Sequence, residues 1–179
     1  DDQELSNSFL THLYHYLRIQ QLEPNANVIL EIGGGYGALA RIFKLGKPDC
    51  KYILVDLPES LFYADVFLRE NFPSATISYT PSEECDFLLV SVPEIDSLSH
   101  INVDLVINTG SLQEMTEETN LFWANFFQTK ITTRALYSFN YFLINRDAYV
   151  ETSDGGISSP ICPILDDCWE PAFFAINPP

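Results

Sequence analysis

Apolar side chains recur at Leu5, Phe9, Leu10, Leu13, Tyr16 and Leu17 and the pattern breaks at Pro24-Asn25. That spacing is close to helical, so residues 3–22 are expected to form a leading amphipathic helix. From Val28 the period changes. "VILEI" reads as a buried strand, "ALARIF" opens a helix that Gly46 and Pro48 stop, and "YILVD" is a second buried strand. "PESLFYADVFLRENF" follows as a helix with Pro58 in its first turn, where a missing N–H removes no helical hydrogen bond. Strand, helix, strand, helix in succession predicts a parallel sheet.

Further along, "ATISYT" alternates like a half-exposed strand, whereas "DFLLVSV" is continuously apolar and is the better third main strand. "VDLVIN" is another buried strand. Residues 117–129 are expected to be helical, with Glu117 and Glu118 where the helix dipole favours acids. "RALYSFNYFLI" reads as a long strand, followed by a loop carrying Gly155-Gly156 and Pro160. "CWEPAFFAI" is expected as a last strand, with Pro171 marking an edge or a bulge. The expected architecture is α/β and doubly wound: a mostly parallel sheet with helices on both faces, residues 1–24 forming the N-terminal helix and 25–179 the core.

The 179 residues suffice for one such domain, 1–179, with roughly two-thirds of its unfolded surface buried. The formal net charge of −16 arises from 25 acidic and 9 basic residues, which repels phosphate backbones and anionic membranes. Nucleic acid and membranes are therefore not expected partners. The N-terminus "DDQELSNSFL" lacks the basic start and apolar core of a signal peptide, and no stretch has the length of a membrane span. A cytoplasmic location with reduced thiols is expected for Cys50, Cys85, Cys162 and Cys168, which contain no CxxC pair. The chain begins at Asp1 rather than Met, as a fragment of a longer protein would.

The segment that carries chemistry is "EIGGGYG", Glu31 to Gly37, between the first strand and its helix. Such a turn brings backbone N–H groups and the positive end of a helix to one point, with no Cβ to obstruct a ligand. Gly33-x-Gly35-x-x-Ala38 satisfies the fingerprint of dinucleotide binders, and Asp56 lies where their ribose-binding acid belongs. A nicotinamide-dependent oxidoreductase is thus one reading. Glu31 favours another, because a carboxylate at the strand end is unfavourable beside a pyrophosphate and suited to a ligand with a cationic group. S-adenosylmethionine carries a sulfonium and an α-ammonium and no phosphate.

"EIGGGYG" resembles the E/D-x-G-x-G-x-G motif of class I S-adenosylmethionine-dependent methyltransferases, and Asp56 matches the acid after their second strand. The resemblance covers roughly residues 26–145 and implies a Rossmann-like fold. More narrowly, "LEIGGGYGALARIF", "YILVDLPESL" and "DLVINTGSLQEM" resemble the sugar O-methyltransferase group. By that resemblance Gly33, Gly35 and Gly37 would pack against the methionine and ribose of S-adenosylmethionine, with Glu31 near the amino-acid end. Asp56 would accept both ribose hydroxyls and Leu57 would lie under the adenine. Ser91, Val92 and Glu94 remain alternatives for the polar adenine contact. Without a ligand role, Asp56 would cap the helix behind Pro58 and Glu31 would accept from the glycine-turn amides.

The second constellation is "NTGSLQEM". "VDLVIN" delivers Asn108 to the carboxyl edge of the sheet, level with the glycine turn, and the resemblance places Asn108 at the cofactor's methionine end, with Gln113 and Glu114 towards the acceptor. A hydroxyl acceptor needs a base, and Glu114 is the candidate. Ser111-x-x-Glu114 also fits a helix capping box, which leaves base and cap as alternatives. Asn140 is placed either in the acceptor pocket or in a strand interior. His12 and His15 could share a helical face but lack a third ligand, and Asp104 starts its strand at the opposite end of the sheet, so no metal is expected. The sequence therefore predicts an O-methyltransferase for a small hydroxylated acceptor, a sugar or glycoside; a non-catalytic methyltransferase-like binding module is the further alternative.

Overall fold

The computed structural model describes residues 6–81 and 84–140. Helix α1 (Asn7–Leu22) starts at Ser6, whose hydroxyl accepts from the Phe9 N–H. There follow β1 (Val28–Ile32), α2 (Ala38–Gly46), β2 (Lys51–Asp56), α3 (Pro58–Asn71), the short β3 (Ile77–Ser78) and β4 (Phe87–Ser91). A 3₁₀ segment at Val92–Leu98 leads to β5 (Asn102–Thr109). A single 3₁₀ turn, Leu112–Glu114, precedes α4 (Glu117–Thr129) and β6 (Thr132–Phe139).

The six strands lie in the order β3-β4-β2-β1-β5-β6, and every pair is parallel. This is the expected Rossmann-like, doubly wound sheet. "DFLLVSV" supplies the inner strand, pairing with β2 from Tyr52↔Phe87 to Asp56↔Ser91. "ATISYT" contributes only the two-residue edge. The core has two layers. On one face Leu30, Ile53, Val90 and Val106 pack with Trp123, Phe126 and Phe127 of α4. On the other, Ile29, Tyr52, Leu54 and Leu105 pack with Leu39 and Phe43 of α2, Leu61 and Leu68 of α3, and Ile19 of α1. The expected loop beyond Asn145, the strand at "CWEPAFFAI", and Cys162 and Cys168 lie outside the described residues.

The buried face of α1 differs from its apolar pattern. Leu10 and Leu17 are exposed, while His15 and Ile19 are buried. Docking decides the face. His15 bonds the Tyr137 hydroxyl of β6 at 3.0 Å, and Tyr16 meets Phe43 edge-on in the space that a Cβ on Gly46 would occupy.

Candidate functional site

Parallel register places the carboxyl ends of β1, β2, β4, β5 and β6 along one edge, pairing Ile32 with Val55 and Asn108, Asp56 with Ser91, and Thr109 with Phe139. The glycine turn leaves β1 at this edge. Gly33, Gly35 and Gly37 have φ of 71°, 58° and 87°, a left-handed region that disfavours other residues by about 1–2 kcal/mol each. Their surroundings differ. A Cβ on Gly33 would collide with Ser111, whereas one on Gly35 would meet no atom within 4 Å. Gly33 therefore admits the turn after β5, and Gly35 keeps its outer face open.

Asp56 joins the turn to β2. One carboxylate oxygen accepts from the Gly35 N–H at 2.7 Å and the other from the Leu57 N–H at 2.7 Å. The acid for which the resemblance implied a ribose contact fixes the loop, the task the sequence had offered to Glu31. It does not cap α3, whose N-cap is Leu57 with no side-chain bond. Leu57 itself is 58% exposed, an apolar surface beside Asp56. Ser91 lies level with Asp56 on β4 and donates to Glu94 at 2.8 Å.

Glu31 is buried to 1% exposure beneath Gly34 and accepts from the Tyr52 hydroxyl at 2.9 Å. Burial pushes its carboxyl up to about 7, with the Tyr52 hydrogen bond acting the other way and the Asp56 charge adding to the rise. The sequence had not singled out Tyr52. The available sign was a lone aromatic hydroxyl in the otherwise aliphatic strand "YILV". Tyr52 pairs in register with Ile29, and its length carries the hydroxyl along the strand to Glu31.

Asn108 is fully buried, and all of its amide atoms have protein partners. Its nitrogen donates to the Ile32 carbonyl at 3.0 Å and to the Ser111 hydroxyl, and its oxygen accepts from Asn140 at 2.9 Å. The side chain, expected at the cofactor's methionine end, ties β5 to the end of β1 and to Asn140 beyond β6. Asn140 also accepts from the Gln113 N–H at 3.2 Å. The Ser111 hydroxyl donates to Ile32 O at 3.1 Å rather than capping the turn. The cap of α4 is Thr116, accepting from the Thr119 N–H. Glu114 is exposed at the same edge.

Away from this edge, His12 bonds the Ser8 carbonyl at 2.7 Å, and Asp104 accepts from Asn27 and Val28 at the opposite end of the sheet. No group of three metal-ligating side chains occurs among the described residues. Cys50 and Cys85 are buried thiols. No helix among the described residues is long and apolar enough to cross a membrane.

The residues fit S-adenosylmethionine on two counts. The open face at Gly35 admits a ligand against the backbone, with Asp56 bonded to that glycine and Glu31 beneath Gly34, and among the described residues neither acid is in an ion pair.

No family model matches the chain, and no curated protein matches it in sequence. Solved structures do share its fold. The N-terminal domain of EvdMO1, solved with SAH bound, is 15% identical with a TM-score of 0.57, over 80% of this chain and 55% of that one. A protein named as an O-methyltransferase of Nostoc punctiforme is 15% identical with a TM-score of 0.51, over 69% and 33%. Coclaurine N-methyltransferase, bound to N-methylheliamine and SAH, is 14% identical with a TM-score of 0.51, over 77% and 37%. The fold is the one that these methyltransferase structures share. The chain spans 33% to 55% of the length of these three structures.

Proposed function

We propose that the protein is an S-adenosylmethionine-dependent O-methyltransferase acting on a small hydroxylated acceptor, with a sugar or glycoside as the acceptor class. The observation that carries the reading is the pairing of an open glycine turn with two carboxylates, Asp56 bonded to Gly35 and Glu31 buried beneath Gly34. A dinucleotide pyrophosphate would be repelled there, and a cationic amino-acid group attracted. The structural relatives with SAH support the same cofactor.

When bound, S-adenosylmethionine supplies a methyl group on a good leaving group, and the protein must align an acceptor with it. Holding the reactants in line supplies about 7–11 kcal/mol of the barrier. Asp56 accepts the ribose hydroxyls with its remaining lone pairs while Gly35 holds it in place. Leu57 offers apolar surface to the adenine, and Glu31 sets a negative potential at the amino-acid end. Asn108 serves as a positioning residue, holding Ser111 against Gly33 and fixing the last carbonyl of β1. Glu114 takes the proton of the acceptor hydroxyl, a contribution of about 10² to 10⁴ in rate.

Differential scanning with separate additions of S-adenosylhomocysteine and NAD tests this reading, since a ligand that binds only the folded state raises the melting temperature. S-adenosylhomocysteine should raise it and NAD should not. A shift with NAD alone would instead support the nicotinamide-dependent oxidoreductase suggested by Gly33-x-Gly35-x-x-Ala38. Cofactor binding without turnover over a broad acceptor panel would mark a non-catalytic module.

A further inference from the structure

Tyr52 and Glu31 form a buried pair of which the reading above uses only the Glu31 charge. The Glu31 carboxylate is cut off from solvent, and Tyr52 is its hydrogen-bond donor among the described residues. The groups facing it are few. β2 presents Tyr52 and Asp56, while β5 brings the apolar Leu105 and Ile107 to the same layer. On α2, Arg41 lies over the Phe67 ring, and Lys44 is bound to the Cys50 carbonyl and Asp86. A carboxylate in these surroundings has one neutral donor and a like charge nearby, which favours its protonated form until a cation arrives.

We propose that Tyr52 is a positioning residue that holds Glu31 under the glycine turn, and that binding of the cofactor's α-ammonium group is coupled to release of one proton from Glu31. The inference rests on the cofactor reading given above. The proton passes to solvent, the carboxylate keeps the electron pair, and no covalent bond forms with the ligand. The Tyr52 hydroxyl donates to the ionised carboxylate and so lowers the pH at which the exchange occurs. Tyr52 is fully buried, and phenylalanine retains its ring packing.

The experiment is calorimetric titration with S-adenosylhomocysteine, which keeps the α-ammonium group, in buffers of different ionisation enthalpy between about pH 6 and pH 9. With the Glu31 carboxyl at about 7 in the unliganded protein, binding at neutral pH should release about half a proton, and affinity should fall about fivefold from pH 7 to pH 6. Glu31→Gln should abolish that release and flatten the profile. Tyr52→Phe should move the midpoint to higher pH, a change that loss of packing alone would not produce. Binding by the wild type with no proton exchange, or a Glu31→Gln profile that matches wild type, would overturn the proposal while leaving the cofactor reading intact. An unshifted Tyr52→Phe midpoint in folded protein would remove Tyr52 from it. Absence of binding at every pH would overturn the cofactor reading and this coupling together.

Discussion

The Gly35 amide donates to the Asp56 carboxylate across 2.7 Å, which makes the turn after β1 and the acid at the end of β2 one mechanical unit. Asp56 thereby holds the loop open and keeps lone pairs for a ligand. The glycine turn and this acid come from strands that are neighbours in the sheet, and the two bonded residues lie 21 apart in the chain.

The two glycines at the mouth of this unit should respond differently to a methyl group. Gly35→Ala meets no neighbour within 4 Å, so it should lower stability by only about 1–2 kcal/mol for the positive φ while weakening S-adenosylhomocysteine by more than about tenfold. Gly33→Ala would drive into Ser111 and should lose a further 1–3 kcal/mol or so in urea unfolding. Equal stability losses for the two variants would contradict the geometry.

Glu31 should make the folded protein less stable as pH rises. Burial pushes its carboxyl from 4.5 up to about 7 in the folded state, so folding takes up a proton between those values. Stability is therefore greatest below the lower value and declines up to the higher one. Glu31→Gln, which stays neutral, should gain on wild type by about 3 kcal/mol at about pH 8 and by little at acid pH. Urea unfolding at a series of pH values measures the difference, and a constant offset would be the contrary result.

His15 should act in the opposite direction. Burial, with His12 adding to it, lowers its ring from 6.5 to about 4, so the folded state holds it neutral where the unfolded chain protonates it. Its contribution is present above the upper value and is lost as pH falls towards the lower. Relative to His15→Phe, wild type should lose stability progressively across that interval. A difference independent of pH would mean that the ring is not kept neutral by burial between Tyr137 and Phe139.

Glu114→Gln separates base from bystander. The variant preserves size and hydrogen-bonding capacity, and the capping role is already taken by Thr116. kcat should fall by about 10² to 10⁴ with cofactor affinity unchanged. Full methyl-transfer activity would remove Glu114 from the chemistry.

What could be read from the sequence was whatever leaves a local mark. The glycine turn demands positive φ, Asp56 ends an aliphatic strand, and α4 has an acidic first turn; each was placed by its own residues. Partnerships between distant strands were not legible. The Tyr52–Glu31 bond depends on the register of β1 against β2, and the buried face of α1 depends on Tyr137 and Phe43. The Ser-x-x-Glu pattern at 111–114 misled for a related reason: the Ser111 hydroxyl found the Ile32 carbonyl, 79 residues away. The network that Asn108 makes with Ile32 and Asn140 is likewise one that only the folded sheet assembles.

If Asp56 and the glycine turn hold S-adenosylmethionine as proposed, calorimetry with S-adenosylhomocysteine on wild type and Asp56→Ala will register it. The wild type should bind, and the variant should lose about 100-fold or more in affinity, the worth of two hydrogen bonds to a charged acceptor, while still unfolding cooperatively. Equal affinity in the two proteins would contradict the account.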